Sequence, residues 1–174
     1  MNDQTKQIEL KFDEKLKSLE KTLPFDHIGT NCACLTLNNI TEILGIEEIS
    51  FNNLIFPLAG GIGGYKAKDG WQGACGAVCG GVAAIGLILG GTEEKIKPEN
   101  MNNVYMRGNK FCREFEKING SVVCRQLCGY DMGDPEGAAQ YQKNGTWEKT
   151  CYKFVISAVD IVRKITKNEL QESW

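Results

Sequence analysis

The residues best suited to chemistry are eight cysteines: Cys32, Cys34, Cys75, Cys79, Cys112, Cys124, Cys128 and Cys151. A thiolate binds soft metals, ligates iron–sulfur clusters and attacks disulfides. Eight in 174 residues is too sparse for a disulfide scaffold, so metal or redox chemistry is read before structural cross-links. No two cysteines stand in a C-x-x-C spacing. A thioredoxin-type site, a zinc ribbon, a ferredoxin run and covalently attached haem are therefore excluded. The single histidine, His27, leaves hydrolase mechanisms of the Ser-His or Cys-His type with one candidate base. Its surroundings, "PFDHIGTN", read as a surface loop.

Position along the expected helices sorts the thiols. Cys32, Cys75 and Cys124 follow capping or glycine-rich segments, "GTNC", "WQGAC" and "NGSVVC", and each falls in the first turn or so of an expected helix. Free N–H groups and the positive end of the macrodipole lower a thiol's pKa there. Cys151 lies on the apolar face of the last helix, so four thiols from four helices reach the interior and suit a tetrahedral sulfur site. Cys79 and Cys128 stand one turn after Cys75 and Cys124, each sharing a face with its partner. Cys34 points elsewhere on its helix than Cys32, and Cys112 sits beside Phe111 and Phe115 on an apolar stripe. For any one of these thiols the alternative is a small buried hydrophobe.

The elements that must carry them are helical almost throughout. Ile8, Phe12, Leu16, Leu19 and Leu23 form one stripe ended by Pro24. A second helix is expected over about Asn31–Leu44, capped by Thr30 or Asn31 and stopped by Gly45. "SFNNLIFPLAGGIGG" reads as a short apolar turn entering a glycine-rich loop at Gly60, Gly61, Gly63 and Gly64. Without a preceding strand this loop fails the dinucleotide and phosphate readings. It suits a backbone that must come close to an adjacent helix or to a cluster's inorganic sulfur. Met101, Val104, Gly108, Phe111, Phe115 and Ile118 mark a helix between Pro98 and Gly120. Ser121 is expected to cap a short helix closed by Gly129. "YDMGDPEGAAQYQKNG" reads as loop, and a long helix runs from Thr146 with Trp147, Cys151, Phe154, Ala158, Val162 and Ile165 on one face.

The stretch "GACGAVCGGVAAIGLILGG" from Gly73 to Gly91 is long and uncharged enough to raise a membrane span. Its glycines, each costing about 1 kcal/mol in a helix interior, and its unremarkable flanks favour a buried central helix instead. The expectation is an all-α, single-domain bundle of about six helices, with the glycine-rich loop preceding that helix. Residues 1–24 form an amphipathic appendage and residues 25–174 the helical domain. The net charge of −2, with bases and acids intermixed, gives no electrostatic case for nucleic acid. The charged N-terminus lacks the apolar core of a secretory signal. A cytoplasmic chain is expected, although one with its export signal removed would read the same.

"NCACLTL", "AGGIGGYKAKDGWQGACGAVCGGVAAIGL", "CREFEKINGSVVCRQLCGYD" and the cysteine of "EKTCYKFV" together resemble, in order and spacing, the C-GCAxxG-C-C family of redox-active proteins. The resemblance covers about residues 28–165. It implies that Cys32, Cys75, Cys124 and Cys151 are the four family cysteines, the same four that helix position selects. Cys79 fills a variable position inside CGAxxG, and Cys34, Cys112 and Cys128 lie outside the pattern. The family is also similar to part of the split-Soret cytochromes, of which only the iron–sulfur half can apply to a chain without haem-attachment motifs. The leading expectation is an iron–sulfur protein serving electron transfer or redox sensing, with those four cysteines as ligands and Cys79, Cys128 and Cys34 as further ligands or resolving thiols. A thiol–disulfide protein attacking through Cys75 is the first alternative, and a structural zinc module the second. The expected partner is another redox protein, with a homodimer left open and no membrane span.

Overall fold

The structure is a computed structural model that describes residues 3–25, 29–46, 50–90 and 97–174. His27 and Gly91 lie outside the described residues. Among the described residues there is no strand, and the six expected helices are all present: α1 (Asp3–Thr22), α2 (Cys32–Leu44), α5 (Gly76–Gly90), α6 (Pro98–Asn119), α7 (Cys124–Cys128) and α9 (Tyr152–Ile165). Four short ones join them, α3 (Ser50–Ile55), α4 (Ala59–Gly64), α8 (Pro135–Lys143) and α10 (Lys167–Ser173). No helix among the described residues is long and apolar enough to cross a membrane.

Local chemistry sets the main boundaries. Asn31 caps α2, its Oδ1 accepting from the N–H groups of Ala33 and Cys34 at 3.0 and 3.1 Å. Gly45 stops that helix in the left-handed conformation, φ 73°. Pro98 opens α6 and Gly120 closes it.

One core holds the bundle together. α5 is buried along Gly76, Ala77, Val78, Gly80, Gly81, Ala84, Ile85 and Ile88 and packs against α2, α6 and α9. The glycines permit this. A Cβ at Gly80 would stand 2.5 Å from the Ala33 carbonyl oxygen of α2, and one at Gly81 2.3 Å from the Phe111 ring of α6. Phe111, Phe115, Val155, Val159 and Val162 are fully buried around it, each contributing about 1.5–3 kcal/mol by burial. Ile8, Phe12 and Leu19 of α1, with Leu23 just past its end, are buried in the same cluster, and Arg163 of α9 pairs with Asp13 and Glu9 of α1. The α6 stripe is buried only at its middle: Met101 and Ile118, near its two ends, are exposed.

Three local expectations need correction. The segment expected as loop after Tyr130 contains α8, begun by Asp134, whose carboxylate accepts from the Gly137 N–H at 3.2 Å, with Pro135 at the first helical position. Ser121 does not cap α7, because the cap position is Val123. Instead the Ser121 hydroxyl accepts from the Val123 N–H and bonds Gln126. The last long helix does not start as α. Trp147–Cys151 forms a π-helical turn before α9.

A candidate cysteine site

The glycine-rich segment, α4, is a single left-handed turn and not a right-handed helix. Gly60, Gly61, Ile62 and Gly63 have φ of 61°, 71°, 54° and 63° with positive ψ, a conformation that costs an L-residue roughly 1–2 kcal/mol. Three glycines make the run affordable, and Ile62 is the non-glycine residue that bears the strain. The turn lays backbone against backbone. A Cβ at Gly73 would stand 1.9 Å from the Gly61 carbonyl oxygen, and one at Gly61 3.2 Å from the Cys124 Cβ.

A short antiparallel bridge between Ala74 and Val123 then ties two thiol-bearing segments together. The Cys75 N–H donates to the Val122 carbonyl at 2.8 Å, and the Cys124 N–H donates to the Gly73 carbonyl at 3.1 Å. Cys75 thus sits just before α5 and Cys124 opens α7. Cys32 opens α2, close enough to α5 that a Cβ at Gly76 would stand 2.5 Å from its sulfur. Cys151 arrives from the π turn, which is anchored by the Trp147 indole donating to the Leu23 carbonyl at 2.8 Å.

These segments line a half-open cavity of about 810 Å³ bordered by Cys32, Cys75, Cys124, Cys128 and Cys151, with Gly60, Gly63, Tyr141, Trp147 and Phe154 among its other walls. This size falls within the range of cofactor and small-ligand sites. All four cysteines selected by helix position line it, and Cys128 joins them. Cys79, Cys34 and Cys112 are not in its lining. Cys34, on α2, is buried with its thiol directed at the Asn52 carbonyl of α3, 3.7 Å away. Cys79, one turn into α5, is half-buried. Among the described residues, no three histidine, cysteine, aspartate or glutamate side chains are close enough to hold a single metal ion.

The thiols work in pairs. The Cys75 thiol donates to the Cys32 sulfur, which lowers Cys32 to about 7 despite its burial; the N–H groups of Gly60 and Gly76 assist. Cys75 is held well above the ordinary thiol value as the donor, and by its burial. Cys124 donates to Cys128, lowering Cys128 to about 6 and raising Cys124. The expectation that every helix-start thiol is lowered is therefore corrected, because neighbouring sulfurs outweigh the helix ends. α7, five residues long, supplies little dipole in any case. Burial pushes Cys151 up to about 12, opposed by a hydrogen bond from the Tyr141 hydroxyl. Cys79 is pushed up to about 11 by burial.

Sequence reasoning missed Tyr141, which stands on α8 in the segment read as loop. Asp134-Pro135 was the signal for that helix. It also missed Lys66, whose ion pair with Asp131 joins the end of the glycine-rich segment to the stretch after α7.

A family model described as "Putative redox-active protein (C_GCAxxG_C_C)" matches residues 30–165. No curated protein and no solved structure matches the chain. The matched span holds all eight cysteines and the left-handed glycine turn and exceeds half of the sequence, so the chain belongs to the redox-active C-GCAxxG-C-C family.

Proposed function

We propose that the chain is a cysteine-ligated iron–sulfur redox protein, serving electron transfer or redox sensing, with Cys32, Cys75, Cys124 and Cys151 as ligands. The observation that carries this reading is convergence: four cysteines spread over 120 residues of sequence, by their numbers 32 and 151, line one cavity from four separate segments of the chain. The donor set suits such a cluster, since thiolates are its ordinary ligands and hydrogen bonds to their sulfurs tune it. Gly60 and Gly76 already direct N–H groups at Cys32. A bridged cluster takes thiolates at separate corners, which agrees with sulfurs gathered around a cavity rather than crowded on one point. When bound, it supplies one-electron exchange. Around it, the glycine turn brings backbone to the Cys32 sulfur, Tyr141 holds the Cys151 sulfur, and Trp147 and Phe154 limit water on that wall. We further propose a cytoplasmic setting, where thiols stay reduced, and another redox protein as its partner.

A thiol–disulfide reading is favoured by one specific observation, the Cys32–Cys75 pair. Its lowered member is Cys32, so attack would start there and Cys75 would resolve. Anaerobic purification followed by a visible spectrum and iron, sulfide and zinc analysis separates the readings. Brown protein with acid-labile sulfide is expected. Colourless protein whose thiols oxidise reversibly in pairs overturns the cluster in favour of the dithiol, and colourless zinc-loaded protein overturns both.

A further inference from the structure

Five sulfurs line the cavity, one more than the family pattern names. The fifth, Cys128, is held by the backbone that follows it. The Tyr130 backbone clasps its sulfur from both sides: the N–H donates to it across 3.4 Å, and the thiol in turn donates to the Tyr130 carbonyl across 3.3 Å, a contact that ligation as a thiolate would give up. Gly129, at φ 82°, reverses the chain after α7, and only this reversal lets the Tyr130 amide return to a residue two positions earlier. Cys128 is 8% exposed, so its sulfur is largely withdrawn from bulk water.

Cys124 and Cys128 stand one turn apart and share a face of α7. Both reach the same cavity, and Gly61 of the left-handed turn buttresses Cys124 from behind. An N–H group aimed at sulfur is what a ligating thiolate accepts in a metal site. Here that group is aimed at Cys128 rather than at the family-position cysteine.

We propose that α7 presents two exchangeable ligand sulfurs, Cys124 and Cys128, to one corner of the site, which makes this a five-thiol site. The proposal rests on the iron–sulfur reading for the identity of the bound group, and on the α7 geometry alone for the exchange. When either sulfur ligates, the other remains beside it as the hydrogen-bonding neighbour. Loss of one therefore leaves the corner occupied.

The test compares wild type, Cys124→Ser, Cys128→Ser and the double variant after anaerobic reconstitution with ferrous iron and sulfide. Each single variant is expected to keep at least half of the wild-type iron and sulfide per chain, and the double variant to lose about tenfold. Either single variant losing as much as the double overturns the exchange. If wild type takes up no iron or sulfide, the cluster reading fails separately. The same four proteins titrated with Cd²⁺ alone, followed by sulfur-to-cadmium charge-transfer absorbance, then decide the corner. Near-wild-type affinity in both singles and a loss of about tenfold or more in the double supports exchange, and a single variant as weak as the double overturns it. Circular dichroism checks folding, and the corresponding alanine substitutions replace serine where its hydroxyl unsettles the buried Cys128 position.

Discussion

In the bundle, α5 meets α2, α6 and α9 along its whole length, through small residues that let whole helices approach. Around the cavity, no thiol of the family four projects from the middle of a long helix: Cys32 opens α2, Cys75 precedes α5, Cys124 opens α7 and Cys151 sits in a π turn. The first region is regular and dry. The second is made of a left-handed glycine turn, a one-residue bridge, a five-residue helix and the π turn. The contrast shows a division of labour. Regular packing fixes where the helix ends lie, and irregular backbone, which turns N–H groups such as those of Gly60 and Tyr130 toward sulfur, carries the thiols. Two regions so built should respond differently to substitution.

The largest effect belongs to the bundle. Phe115→Ala, which empties a fully buried ring position, should cost about 3–5 kcal/mol in urea unfolding, with iron and sulfide uptake near wild type in the fraction that stays folded. A large loss of uptake in folded protein would break the proposed separation. Gly80→Ala comes next, because its Cβ meets the Ala33 carbonyl at 2.5 Å and Thr36 at 2.8 Å. Overpacking of this kind costs about 1–3 kcal/mol. It also pushes apart α2 and α5, whose starts hold Cys32 and Cys75, so uptake should fall together with stability.

Gly73→Ala acts on the cavity side, where the added Cβ would stand 1.9 Å from the Gly61 oxygen. Uptake should fall more than with Gly80→Ala while the urea midpoint moves less, and the reverse order would show that the turn is part of the core. The smallest effect concerns Asp131, whose carboxyl is held below its ordinary value chiefly by Lys66. A lowered carboxyl stabilises the fold above its unfolded value and loses that contribution as pH falls through the folded one. Asp131→Asn should therefore lower the melting temperature slightly near neutral pH and not at all well below pH ~4. An equal difference at both pH values would mean that charge plays no part there.

Much of the bundle was legible because apolar periodicity and end signals are local. The stripe of α1, the Asn31 cap, Gly45, Pro98 and Gly120 all act within a few residues of themselves, and the structure uses each of them. The cysteines at helix starts were legible for the same reason. Less legible were α8, whose Asp134-Pro135 start was masked by polar composition and Gly137, and the π turn, which shifts the approach of Cys151 without any local sequence mark.

By itself, then, the sequence determined an all-α chain, a glycine-rich central helix and four cysteines at positions fit for a common site, because helix propensity, capping and glycine freedom depend on neighbours in the chain. Only the tertiary structure decided which sulfurs meet. Cys128 joins the cavity and Cys79 does not, although each follows a family cysteine by one turn. The reason is directional: a one-turn spacing fixes a shared face, but what that face meets is set by the bridge between Ala74 and Val123, by the reversal at Gly129 and by the packing of α5 against α6.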